Sequence, residues 1–254
     1  MTKPEKKNKE AQWFGYKKVN PTEKSGLVQG VFDSVAKNYD LMNDVMSGGV
    51  HRVWKNTLIR LMRPRPDKKL LDVAGGTGDI AFKYLKKAGT CAEITVCDIN
   101  QNMLDVGRDR AFDRGIVKGI DWVHGDAQKL PFEDETFDLY SISFGLRNVP
   151  KIDDALKEAH RVLKPGGYFY CLEFSEVQVP VLNKLYDLYS FTLLPKMGKY
   201  IAKDEESYKY LAESIRQFPK QAELEQRMYD AGFKDAHYIN LSGGIAAIHI
   251  GLKI

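Results

Sequence analysis

Residues Leu70-Leu71-Asp72-Val73-Ala74-Gly75-Gly76-Thr77-Gly78-Asp79 run from an apolar stretch into a glycine-rich turn. Such a turn lets a ligand approach the backbone and offers it the N–H groups that open the following helix. Gly76-x-Gly78-x-x-Ala81 also satisfies a dinucleotide fingerprint that admits a final Ala. Asp98, about 20 residues further on, completes that fingerprint. It closes the apolar run Ile94-Thr95-Val96-Cys97, where a carboxylate can accept from two ribose hydroxyls. Adenosine occurs in both NAD and S-adenosylmethionine, so this pair of features leaves an oxidoreductase and a methyltransferase open.

Three later features favour S-adenosyl-L-methionine. Gly125-Asp126-Ala127 offers a carboxylate for the exocyclic amine of adenine beside small residues that admit the ring. Ser141-Ile142-Ser143-Phe144 ends another apolar run and faces the reacting end of the ligand, and Leu163-Lys164-Pro165-Gly166-Gly167 joins a helix to the next strand. The rest of the inventory agrees. None of the 13 tyrosines has Lys four residues later, which removes the Tyr-x-x-x-Lys hydride-transfer pair. The five histidines make no metal-binding spacing, and no Gly-x-Ser-x-Gly elbow occurs. A metal-free transfer reaction is expected.

These residues need elements to hold them. Strands are predicted at residues 69–74, 93–99, 120–124, 137–144 and 168–174, with helices at 79–87, 101–114 and 153–163 between them. Asn100 is placed to cap the second of these helices. Short apolar strands alternating with helices indicate right-handed crossovers and a parallel sheet covered on both faces. Helical spacing also runs from Val28 to Arg63, broken at Ser47-Gly48-Gly49. Further helices are expected at 205–217 and 221–231, with Gly232 as C-cap. Strands 233–241 and 245–252 flank Ser242-Gly243-Gly244 as a closing antiparallel hairpin.

Composition bounds the function. The 254 residues are 43% hydrophobic and 28% charged, which fits one globular domain with additions and excludes a disordered or disulfide-dense chain. The net charge of +4 is carried by residues 1–24, which hold seven Lys and three Glu. The body is therefore formally neutral and unsuited to nucleic acid, and residues 1–24 read as a mobile basic arm interrupted by Trp13, Phe14 and Tyr16. Cys91, Cys97 and Cys171 form no C-x-x-C pair; Cys97 and Cys171 read as core residues. No run approaches a membrane span and no secretory leader is evident, so a cytoplasmic protein is expected.

The ordered motifs resemble a class I S-adenosylmethionine-dependent methyltransferase. Ala74 departs from that pattern, standing where the first glycine of the turn is usual. A closer resemblance covers nearly the whole chain. Ala74-Gly-Gly-Thr-Gly-Asp79, Ile142-Ser-Phe-Gly-Leu-Arg-Asn148, Arg161-Val-Leu-Lys-Pro-Gly-Gly167, Leu172-Glu-Phe-Ser175 and Ser207-Tyr-Lys-Tyr-Leu-Ala-Glu-Ser-Ile215 are similar to the UbiE-type methyltransferases of bacterial quinone biosynthesis. So are Val31-Phe-Asp-Ser-Val-Ala-x-x-Tyr-Asp40 and the closing hairpin.

The resemblance implies a Rossmann-like α/β domain over residues 25–254, with a seven-stranded, mostly parallel sheet and one antiparallel strand from the C-terminal hairpin. N-terminal helices (25–66) and a helical insertion on the substrate side (176–218) complete it. It implies ring C-methylation of a polyprenyl-benzoquinol, of demethylmenaquinol, or of both. The family's cofactor positions map onto Thr77, Asp98, Asp126 with Ala127, and Ser143; Asp72, Gly76 and Gly78 belong to the same turn.

Ring methylation asks the site to stabilise a phenolate and accept a proton. Arg147, a permanent cation, is the first candidate to hold that phenolate. Water or Asp40 is a candidate base, and Tyr39 and Asn148 are weaker positioning candidates. The apolar stretch 177–201 is expected to form a tunnel or lid for the prenyl tail, or else to pack on the core or at a homodimer interface. In the tunnel case Glu at Leu185 or Leu188 impairs use of long-tailed quinols. The basic arm could add weak attraction to anionic lipid at the inner membrane. A non-catalytic scaffold within a quinone-synthesis complex is the remaining alternative.

Overall fold

The computed structural model describes residues 12–20, 23, 24, 26–28, 30, 44, 47–89, 91–178 and 205–254. Tyr39, Asp40, Leu185, Leu188 and most of the expected tunnel therefore lie outside the described residues. Within the expected basic arm, β1 (Gln12–Phe14) and β2 (Lys17–Val19) pair as a small antiparallel hairpin. The Tyr16 N–H donates to Glu213 Oε2 at 3.0 Å, so the stretch where Trp13, Phe14 and Tyr16 interrupt the basic arm is bonded to a distant part of the chain.

The chain then alternates as its pattern requires. Helix α1 (His51–Met62) precedes β3 (Lys69–Val73), α2 (Asp79–Ala88), β4 (Glu93–Asp98), α3 (Gln101–Asp113) and β5 (Ile120–His124). After β6 (Phe137–Ser143) comes a 3-10 turn at Leu146–Asn148, followed by α4 (Ile152–Val162) and β7 (Leu163–Phe174). Helices α5 (Glu205–Gln217) and α6 (Gln221–Asp230) lead to the hairpin β8 (Lys234–Leu241) and β9 (Ala246–Leu252). One sheet holds seven strands in the order β5-β4-β3-β6-β7-β9-β8. β9 runs antiparallel to both of its neighbours, while β3 to β7 pair in parallel.

Period-two alternation sorts the strands' side chains onto two faces. Leu70, Ile94, Val96, Leu139 and Leu172 join Trp54, Leu58, Tyr84 and Leu104 from α1, α2 and α3 in one buried cluster. Leu71, Val73, Tyr140, Ile142 and Phe169 join Leu156, Leu224 and Met228 from α4 and α6 in the other. Cys97 and Cys171 are buried in that second cluster, as expected of small core residues. Each large apolar side chain so buried stabilises the fold by roughly 1.5–3 kcal/mol.

Two details depart from the sequence pattern. β7 begins at Leu163, five residues ahead of the strand predicted at Tyr168, and so includes the Lys164-Pro165-Gly166-Gly167 turn. Its register with β6 steps from Phe137↔Leu163 to Leu139↔Tyr168, so residues 164–167 loop outward. The Gly166 N–H then donates to the Lys253 carbonyl at 2.7 Å, and the Lys253 N–H to that of Gly167 at 3.0 Å. The end of the chain thus supplies the backbone bonds that the looped segment cannot make to β6.

Candidate functional site

The strand order reverses beside β3, whose neighbours are β4 on one side and β6 on the other. Ligands of open α/β sheets sit at such a point, outside the carboxyl ends of the strands. A cleft lies there, lined by the β3–α2 turn, the start of α3, the segment after β5 and the segment after β6.

The turn is built by backbone geometry. Ala74 has φ +49° and Gly78 φ +79°, both in the left-handed region that favours glycine. Ala74 therefore holds a conformation that explains why glycine is usual there. Room for its methyl comes from Gly145, where an added Cβ would stand 2.4 Å from the Ala74 Cβ. Gly145→Ala should destabilise the protein by about 1–3 kcal/mol through overpacking, and Ala74→Gly in the same chain should recover most of that. Urea unfolding of the two single variants and the double variant measures it; additive penalties would refute the coupling.

Gly78 acts through packing as well. A Cβ there would approach the Trp122 ring at 2.5 Å, and one at Gly107 of α3 would approach it at 2.3 Å. Gly78 is accordingly not among the described residues that line the cleft; it shapes the turn from beneath.

Four carboxylates surround the cleft. Asp98 accepts the Gly76 N–H through Oδ2 and the Asn100 N–H through Oδ1, each at 2.8 Å. Burial pushes its carboxyl up to about 6, against the pull of those two N–H groups. Asn100 is the cap foreseen for α3, its side chain accepting the Met103 N–H at 3.0 Å. Asp72 accepts the Ser141 hydroxyl at 2.6 Å and is pushed up to about 7, again by burial. Its Oδ2 has no partner among the described residues. Asp126 accepts the backbone and side-chain N–H groups of Gln128, and Asp79 takes the Lys55 ammonium at 2.8 Å.

Seven of the site residues expected from sequence are brought together along this cleft: Asp72, Gly76, Thr77, Asp98, Asp126, Ala127 and Ser143. Thr77 accepts Arg110 Nη1 at 2.7 Å, and Ser143 Oγ is buried without a partner among the described residues. Arg147 is placed differently from the phenolate-binding expectation. Its guanidinium is 1% exposed and donates to Glu173 Oε1 at 2.7 Å and to the Phe144 carbonyl at 2.6 Å. It is not among the described residues lining the cleft, whereas its neighbour Asn148 is. Asn148 Oδ1 accepts the Tyr210 hydroxyl at 2.9 Å, while its buried Nδ2 has no partner among the described residues.

Sequence reasoning missed Lys55, Met103 and Tyr210. Tyr210 lies in a quoted motif, yet no spacing rule ties it to Asn148, a partner 62 residues away in the chain. Lys55 sits on the buried side of α1, where a cation among apolar residues was the available signal.

The seven-stranded order, with antiparallel β9 inserted between β7 and β8 and a glycine turn at the switch point, is that of the class I methyltransferase fold. A methyltransferase of Thermotoga maritima, described as a possible histamine N-methyltransferase, superposes with TM-score 0.63 at 19% identity, over 89% of this chain and 99% of that one. A methyltransferase described as putative from Methanococcus maripaludis gives 0.61 at 18% identity, over 86% and 91%. In sequence, the ubiquinone/menaquinone biosynthesis C-methyltransferase UbiE of Brucella abortus is 54% identical over 95% of this chain and 90% of its own length. That of Brucella anthropi is 55% identical over 95% and 92%. The model of the ubiE/COQ5 methyltransferase family matches residues 18–253. The chain belongs to the ubiE/COQ5 methyltransferase family.

Proposed function

We propose that the chain moves a methyl group from S-adenosylmethionine to a ring carbon of a polyprenyl quinol, the benzoquinol or naphthoquinol of ubiquinone or menaquinone synthesis. The observation that carries this is the cleft, whose polar groups are of two kinds. One kind is an acid and a backbone turn suited to a nucleoside; the other is Ser143 and Asn148, each with a buried polar atom that has no partner among the described residues.

The residues fit an adenosine. Asp98, already polarised by two N–H donors, retains lone pairs for ribose hydroxyls, and Asp126 can accept from the adenine amine beside the small Ala127. S-adenosylmethionine, when bound, supplies an electrophilic sulfonium methyl that needs no activation by the protein. The chain's task is to orient the ring and stabilise the phenolate that makes the ring carbon nucleophilic. Asn148 Nδ2 is the donor best placed for a ring oxygen, with Tyr210 fixing the amide. Arg147 acts through the backbone, tying the Phe144 carbonyl to Glu173 and so holding the segment that carries Asn148. Peripheral contact with the inner membrane, and a homodimer or complex with other quinone-synthesis proteins, belong to this reading as proposals. Among the described residues no helix is long and apolar enough to cross a membrane.

Labelled-methyl transfer to demethylmenaquinol and to a demethylated polyprenyl-benzoquinol, with mass spectrometry of the product, tests the proposal. Label on the ring carbon of at least one of them is expected; label on neither would end it. Calorimetry should show binding of S-adenosylhomocysteine and none of NADH, which separates this reading from an oxidoreductase.

The carboxyl of Asp98 also sets a pH dependence. Ribose hydroxyls need the ionised form, so affinity for S-adenosylhomocysteine should fall as pH drops through about 6. At pH 5 the loss is about tenfold relative to pH 8. Stability of the free protein runs the other way. Asp72 and Asp98, raised by burial, stabilise it while protonated, and that contribution fades as pH rises from about 4 through about 7.

A further inference from the structure

Lys55 projects from α1 into the wall of the cleft with only 4% of its side chain exposed. A buried ammonium is expensive unless its charge and its three donors are met. Asp79 Oδ2, at 2.8 Å, is its one acceptor among the described residues, and the Phe144 ring lies 6.0 Å from Nζ. The charges around it are one-sided. Asp72, Asp79, Asp98 and Asp126 line the cleft, and Lys55 is the single basic residue among the described ones that do. Among the described residues, Lys55 is the cation that an anionic group entering this cleft meets. Lys55 also reaches the opening turn of α2 through Asp79, where helix N–H groups add to the positive potential.

We infer that Lys55 forms a carboxylate subsite, receiving the amino-acid end of the nucleoside co-substrate. The inference rests on the methyltransferase reading and assigns a part of the ligand that Asp98 and Asp126 do not address. One donor of Lys55 stays with Asp79, which keeps the ammonium in place when the cleft is empty. The remaining donors take the α-carboxylate, so the ligand's anion joins a pair rather than an isolated cation. The acidic residues that line the same cleft are matched to the ligand's ammonium. The cleft is thus selective for a zwitterionic amino acid over a bare thioether nucleoside.

The test compares S-adenosylhomocysteine with its decarboxylated analogue, which keeps the ammonium and lacks only the carboxylate. Calorimetry on the full chain should show that Lys55→Met weakens S-adenosylhomocysteine by about 30-fold, the scale of a charge-assisted hydrogen bond, and the analogue by less than about twofold. Retained binding of the analogue also certifies that the variant is folded. Lys55→Met combined with Asp79→Asn removes the unpaired acid, and should still bind the two ligands alike. Recovery of the preference for S-adenosylhomocysteine in that double variant would overturn the subsite, because the loss would then lie in Asp79. Equal weakening of both ligands, or of neither, would overturn it too. If the unaltered protein binds neither ligand, the nucleoside reading of the cleft itself fails.

Discussion

Arg147→Ala is expected to lower unfolding stability by about 3–5 kcal/mol, the scale for removing one partner of a buried ion pair. The reason lies in what stays behind. Glu173 is 1% exposed on its side chain, and its carboxylate also accepts the Phe174 N–H at 2.9 Å and the Arg147 N–H at 3.4 Å. Burial pushes Glu173 up, and Arg147 is the main influence holding it down. Without the guanidinium the carboxyl takes a proton or drags water inward. Replacing both partners, as Arg147→Met with Glu173→Leu, should return most of the stability, since well-packed apolar substitutes for a buried pair are often neutral. That double variant should nevertheless transfer methyl groups poorly, because the Phe144 carbonyl is no longer tethered and Asn148 drifts. Denaturant unfolding paired with turnover separates the two effects. A loss below about 1 kcal/mol in the single variant would show that the pair does not hold this segment.

Asp98→Ala carries the other large effect, and on binding rather than folding. Its carboxylate serves twice, fixing the Gly76 N–H of the turn and the Asn100 N–H at the head of α3 while facing the cleft. Two charge-assisted bonds to ribose, at about 1.5–3 kcal/mol each, set the expected loss at 100-fold or more in affinity for S-adenosylhomocysteine. Asp98→Asn keeps one acceptor and should lose less. It should also bind with no dependence on pH between about 5 and 8, since the titrating group is gone. A wild-type pH slope in Asp98→Asn would move the titration to another carboxyl, with Asp72 the next in line.

Much of this architecture can be read from residue order. The bounds of β3, β4, β6 and β9 follow from their sequence because these inner strands are covered on both faces and so read as apolar runs, whereas the edge strands β5 and β8 are more exposed and more polar. Asn100 as a cap and Asp98 at a strand's carboxyl end need only local rules. Arg147 shows where such rules stop. A cation after a strand in a nucleotide fold can face substrate or pair inward, and the partner that decides it, Glu173, is on a different strand. Lys55 was hidden for the same reason, since its acceptor Asp79 belongs to another helix. The looped residues 164–167 read as a turn because Pro and Gly mark one, but the backbone partner at Lys253 keeps them in the sheet.

The indole of Trp122, wedged between Gly78 and Gly107, gives the protein a built-in optical gauge. A ring packed against the glycine-rich turn feels each change in that turn's packing, and tryptophan emission is sensitive to such changes. Exchanging Trp13 and Trp54 for phenylalanine would leave one emitter, and ligand occupancy could be followed by light without a label.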